Sequence, residues 1–169
     1  MKSTIHEHQK NSFKIVSKKY ILILVVVLSS TISFAQTTAK RTKEFNLEKG
    51  VAIQGYDPVA YFTQKKAVKG KATISTTYEG VTYNFSSQAN KDLFLKNPGN
   101  YEPQYGGWCS YAMGANGEKV EVDPQTFKIV DGKLNLFYNA FFNNTLKSWN
   151  KDEVDLKKKA DSNWKKTIN

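Results

Sequence analysis

Apolar and polar positions change rhythm several times along this chain, and each rhythm predicts an element. Residues 20–28 are almost wholly apolar, with no charge from Ile21 to Val27. Further on, Ile74, Thr76 and Tyr78 alternate with other positions, Glu79-Gly80 follows, and Val81, Tyr83 and Phe85 alternate on the return. Period two on both sides of a Gly-containing pair predicts a β-hairpin. A second hairpin is predicted around Asp131-Gly132, with Phe127 and Ile129 on one strand and Leu134, Leu136 and Tyr138 on the other. Helical spacing takes over elsewhere. Ser86 or Ser87 caps a helix with Phe94, Leu95 and Ala89 on its apolar face, and Asn97-Pro98-Gly99 stops it. Residues 108–113 predict a short helix ended by Gly114. Phe142, Leu146 and Trp149 predict a helix over 139–149. Val154, Leu156, Ala160 and Trp164 predict a last one from Asp152 to Lys166. Hairpins and helices in separate runs give an α+β class: a small single domain with two β-hairpins packed on helices and a C-terminal helical pair.

The apolar run near the start has a different meaning. Lys14, Lys18 and Lys19 precede it, and Ser33-Phe34-Ala35 follows with small residues at the positions a signal peptidase requires. That is the pattern of a secretory signal peptide over residues 1–35. The run is shorter than the about 20 residues of a membrane span, although retention as an uncleaved anchor is the alternative. The expected product starts at Gln36 and is periplasmic or secreted, with no stable membrane insertion after cleavage. Residues 36–44 read as a flexible, basic lead-in and residues 45–169 as the folded domain.

Cleavage alters the available chemistry. The whole chain carries a formal charge of +10, of which the leader holds +4. Both histidines, His6 and His8, are in the leader. Residues 36–169 then have one cysteine, Cys109, and one methionine, Met113. Without imidazole, Ser-His-Asp and Cys-His nucleophiles are excluded, and a four-ligand zinc site lacks its usual donors. There is no phosphate-binding Gly loop. Nucleic acid is not an expected partner of an exported chain, and the C-terminal lysines, interleaved with acids, read as a solvated helix face. The expectation is a binding protein and not an enzyme.

Several residues are candidates for binding. Cys109 and Met113 are four apart and share a face if that segment is helical. A thiolate and a thioether together suit copper(I). A buried Cys acting as a small hydrophobe is the alternative, and a reactive thiol is a third reading. Tyr56 and Asp57 in the Gly55-Tyr56-Asp57-Pro58 turn, with Tyr105, Trp108 and Tyr111 around Gly106-Gly107, form a candidate aromatic surface for a small ligand or a protein; core packing is the competing reading. Asp57 and Asp123 each precede a proline, where a turn or cap role competes with acid–base or hard-cation chemistry.

One set of motifs resembles a known family. Asp57-Pro58-Val59-Ala60, then Tyr83-Asn84-Phe85-Ser86-Ser87-Gln88-Ala89-Asn90 running to Phe94, with Pro98 and Tyr101 behind, is similar to the YHS domain. The likeness covers roughly residues 50–103. Pro103 to Ala112, the Val130–Leu134 hairpin and the Ala160–Trp164 segment look like a longer, exported subgroup. The resemblance implies a small α+β domain and a link to heavy-metal handling, copper in particular. The three cysteines of the family's short form are Ala60, Ser86 and Asn90 here. The resemblance therefore implies the fold more directly than the metal. The only cofactor it brings into question is copper, with a metal ion or a small ligand as the partner.

Overall fold

The computed structural model describes residues 37–169. The leader expected over residues 1–35 lies outside the described residues. No helix among the described residues is long and apolar enough to cross a membrane. Residues 39–169 form one compact unit.

Residues 37–44 are helical (α1), where a flexible lead-in is expected. The cause is distant in sequence. The Arg41 guanidinium is only 12% exposed and pairs with the carboxylates of Glu102 and Glu79. It also lies over the rings of Phe45 and Tyr78. Glu102 in turn accepts the Tyr83 hydroxyl. A desolvated guanidinium held by two carboxylates fixes the segment that carries it.

A four-stranded sheet follows in the order β1 (Leu47–Glu48), β2 (Val51–Ala52), β4 (Val81–Phe85), β3 (Lys71–Tyr78). β2 and β4 are parallel and the other pairs antiparallel. Between β2 and β3 sits the one-turn helix α2 (Ala60–Thr63). The β3–β4 turn is as predicted: Glu79 and Gly80 have φ of 45° and 82°, the two positive values of a type I′ turn. Val81, Tyr83 and Phe85 all face the core.

Helix α3 (Gln88–Lys96) starts at the Ser87 cap, whose hydroxyl accepts the Asn90 N–H at 3.2 Å. Its buried face is not the predicted one. Phe94 is buried and packs on Tyr83 and Phe85, but Leu95 and Ala89 are exposed. Asn90, one turn before Phe94, takes the inner position for reasons set out below.

Helix α4 (Ser110–Ala115) begins after Cys109 and includes Gly114 in its body. Gly114 does not end it. A Cβ there would lie 2.4 Å from the Leu156 carbonyl oxygen, so glycine is needed for the close approach of the last helix. The second hairpin, β5 (Asp123–Val130) and β6 (Lys133–Phe137), turns at Asp131 and Gly132 with φ of 50° and 70°. Leu134 and Leu136 are fully buried, as are Asn135 and Phe137 on the opposite face.

The helix predicted over 139–149 is present only in its C-terminal part, α5 (Thr145–Trp149). Before it, β7 (Asn139–Ala140) and β8 (Asn143–Asn144) form a miniature hairpin with Phe141 and Phe142 at its tip. The Asn144 side chain accepts the Leu146 N–H at 3.1 Å and starts the helix there. Helix α6 (Glu153–Ile168) closes the chain, with Leu156 and Ala160 buried and Trp164 partly so. Val154 is exposed, because it lies off the Leu156–Ala160–Trp164 stripe. The result is the expected α+β class, with one four-stranded sheet, two two-stranded sheets and helices.

Candidate functional site

The densest polar constellation surrounds Asp57. The Gly55-Tyr56-Asp57-Pro58 turn carries this side chain inward until it is fully buried. Its Oδ1 accepts the backbone N–H groups of Val59 at 2.9 Å and Ala60 at 3.3 Å, which starts α2. Its Oδ2 accepts the Ser86 N–H at 2.8 Å, the Ser86 hydroxyl at 2.6 Å and the Asn90 side-chain amide at 2.7 Å. Both oxygens act only as acceptors, the pattern of a carboxylate. Five donors around a buried group replace the water it has lost.

The two serines divide the work at the start of α3. Ser87 caps the helix, while Ser86 turns to Asp57. Asn90 also reaches the Ser86 Oγ at 3.3 Å. The Ala60 N–H and the Ser86 and Asn90 side chains therefore meet at one carboxyl group, although Ala60 is far from the other two in sequence. These are the three positions that the resemblance pairs with the cysteines of the family's short form. Here Ala60 offers no side-chain donor atom, and the polar atoms of Ser86 and Asn90 are turned to Asp57. An amide, a hydroxyl and a methyl group do not make a ligand set for a soft ion, which selects thiolate or thioether.

The two sulfur side chains pack in different clusters. Cys109 is the residue before α4, not part of its body, and it is fully buried. Its Sγ accepts the Tyr138 N–H at 3.4 Å and lies 3.4 Å from the Thr145 Oγ1. That hydroxyl donates to the Tyr138 carbonyl at 2.9 Å. The thiol proton therefore points to Thr145, and the three groups brace the base of the β7–β8 hairpin. Met113 is also fully buried, but it packs with Tyr105, Ala160, Trp108 and Trp164 in a separate cluster. Cys109 stands at the N-terminal boundary of α4 and Met113 in its body, with the Met113 N–H bonded to the Cys109 carbonyl at 3.0 Å. Among the described residues, no group of three His, Cys, Asp or Glu side chains is placed to hold a metal ion.

The five residues expected to form a ligand surface fall in different places. Asp57 sits in its own network. Tyr56 is half-buried, with the Lys69 ammonium 4.5 Å from its ring centre. Tyr105 is buried, and its hydroxyl donates to Asp161 at 2.9 Å. Burial first, and then the Asp161 bond, push this phenol well above its ordinary value. Trp108 donates from Nε1 to the Glu44 carbonyl at 2.7 Å. Tyr111 is half-buried between Phe137, Trp149 and the main core. Gly106 lies beneath Phe45 and Trp164: a Cβ there would come within 2.9 Å and 2.8 Å of their rings. Its φ of 60° also favours glycine. The Tyr105–Trp108 segment thus fastens α1 and α6 to the domain. Asp123 is a local turn residue, accepting from the Gln125 N–H and the Thr126 hydroxyl, both at 2.9 Å.

Two features escape the sequence reading. One is Asn90 as a partner of Asp57, visible only through the 33-residue separation that the fold closes. The other is the Phe141–Phe142 tip, hidden by a helical spacing from Phe142 to Trp149. The Asn143-Asn144 pair is the signal that could have separated the two.

Compared with known proteins, residues 59–105 match the family model of the YHS domain. No curated protein and no solved structure matches the chain.

Proposed function

We propose that this chain, whose residues 59–105 match the YHS domain, a family often linked to metal handling, is a non-catalytic binding module in which the positions that would hold metal have become structural. The observation that carries the reading is the convergence of Ala60, Ser86 and Asn90 on Asp57. A hydrogen-bonded carboxylate occupies the place where thiolates would gather. Cys109 supports the same reading, since its thiol is used inside the core. Binding is then assigned to the surface of the domain. The signal-peptide pattern of residues 1–35 supports action outside the cytoplasm.

The experiment is a copper(I) titration of residues 36–169 against a competing chelator under reducing conditions. The chain should leave the chelator loaded, and Cys109→Ala should behave like the parent. Tight, stoichiometric copper(I) uptake that Cys109→Ala or Met113→Leu abolishes would overturn the reading and restore the sulfur pair as the site. Sequencing the N-terminus of the chain recovered from an exporting host tests the leader, with Gln36 as the expected first residue.

A further inference from the structure

Phe141 and Phe142 are 91% and 112% exposed. Two adjacent aromatics fully in solvent give up the burial that usually accounts for such residues in a small domain. Their backbone is also unusual. φ is 50° at Phe141 and 64° at Phe142, the left-handed pair of a type I′ turn. That turn favours Asn-Gly, and bulky side chains fit it poorly. Ile53 shares a positive φ, but it is buried and its packing compensates. At the tip no packing does so.

The mounting is firm. Asn139 pairs with Asn144 and Ala140 with Asn143. The Asn139 amide donates to the Thr126 hydroxyl at 2.9 Å, and Thr145 and Cys109 hold the base from inside. The strained aromatic pair is therefore presented in a fixed position and does not fold back onto the domain.

Charge indicates what it meets. From Gly132 to Lys151 the chain has three lysines, Lys133, Lys147 and Lys151, and no carboxylate. Lys147 and Lys151 are exposed, and neither is in an ion pair among the described residues. A convex aromatic tip in a stretch of one positive sign has the two parts of an interfacial anchor: rings that enter the headgroup–acyl boundary and lysines that stay with anionic headgroups.

We infer that the Phe141–Phe142 hairpin docks this domain reversibly on a lipid bilayer bearing anionic headgroups. This takes from the preceding reading only that binding occurs at the surface; the copper titration can fail without touching it. The test is vesicle co-sedimentation of residues 36–169, which contain the whole compact unit 39–169. The probes are phosphatidylcholine vesicles with and without phosphatidylglycerol. The parent should partition about tenfold or more in favour of the anionic vesicles, from about 1 kcal/mol per lysine near the surface. Raising the salt should weaken it. Lys147→Glu with Lys151→Glu should erase the preference for phosphatidylglycerol.

Phe141→Asn with Phe142→Gly supplies the turn's favoured residues. It should melt higher than the parent and yet lose vesicle binding by about tenfold or more. Binding lost with a raised melting point is not misfolding. Phe141→Ser with Phe142→Ser gives a second reading of the rings alone. If either double variant partitions like the parent, the inference is wrong. If the parent ignores both vesicle types, the inference is wrong.

Discussion

The side-chain amide of Asn90 donates to the carboxylate of Asp57 at 2.7 Å, across 33 residues of sequence and at the centre of the domain. The bond joins the turn before α2 to the first turn of α3. With the two Ser86 bonds it ties the turn just before the YHS match to the middle of that match.

Asp57→Ala should therefore be among the most destabilising single changes, costing about 3–5 kcal/mol because it leaves several buried donors without an acceptor. Asp57→Asn should also destabilise, since its amide nitrogen would face the donors of Ser86 and Asn90. Urea unfolding of the three proteins measures this. A loss below about 1 kcal/mol for Asp57→Ala would show that water or relaxation replaces the carboxylate.

The convergence also has a constructive test. Placing cysteine at all three positions, Ala60→Cys, Ser86→Cys and Asn90→Cys, should create a soft-ion site beside Asp57 that Cys109 alone does not supply. Charge-transfer absorption on adding cobalt(II) or copper(I) under reducing conditions reads it out. No spectral change from a folded triple variant would mean that the three thiols cannot share an ion.

Arg41→Ala should cost about 2–3 kcal/mol, because Glu102 and Glu79 lose a largely desolvated partner. Arg41→Lys should recover less than half, since an ammonium cannot span the two carboxylates as a guanidinium fork does. Thermal unfolding compares them. Increased amide exchange confined to residues 39–46 in Arg41→Ala would locate the damage at α1.

Tyr61, Tyr83 and Tyr105 all have raised phenol values. Burial is the largest cause in each. The neighbouring Glu102 adds to it at Tyr83, and the Asp161 bond adds to it at Tyr105. The folded value lies above the unfolded one near 10, so the folded state holds these protons longer. Their contribution is fully present below about pH 10 and is lost as pH rises beyond it. Tyrosinate absorbance should lag in the folded protein, then rise together with unfolding. A titration complete before circular dichroism changes would refute this.

Cys109 should react slowly with a thiol reagent in the folded protein and quickly in denaturant, because its side chain has no exposed surface. Cys109→Ser should cost about 1–2 kcal/mol: the smaller oxygen leaves a gap and stands further from the Tyr138 N–H. Rapid labelling under native conditions would instead indicate that the β7–β8 base opens.

Both long hairpins were legible from period-two alternation and Gly-containing turns, because those signals are local and the turn chemistry is strict. Helix α3 was legible in its ends but not in its face. A pattern of apolar residues cannot anticipate that an asparagine goes inward when a carboxylate awaits it. The region 139–149 misled because Phe142, Leu146 and Trp149 fit a helix by spacing, while the Asn144 cap cuts the helix short. Val154 misled for a related reason: apolar identity was counted without its angle on α6. Helix α1 depends on Glu79 and Glu102, far along the chain, and leaves no local trace. Of the candidate site, Asp57 was visible as a turn residue before proline; its company was not. Cys109 was visible only as the lone thiol, and its exposure decides its role.

The seam at Gly106 carries a consequence for how the chain comes to be folded. Phe45 and Trp164 both cover that glycine, and the Asn46 N–H donates to its carbonyl at 2.9 Å. One of these covering groups belongs to the first residues of the domain and the other stands five residues from its end. The cover is complete only when Phe45 and Trp164 have both reached Gly106, so the packing of the segment after α1 waits on α6. A chain cut before Trp164 would leave its beginning loose as well as its end.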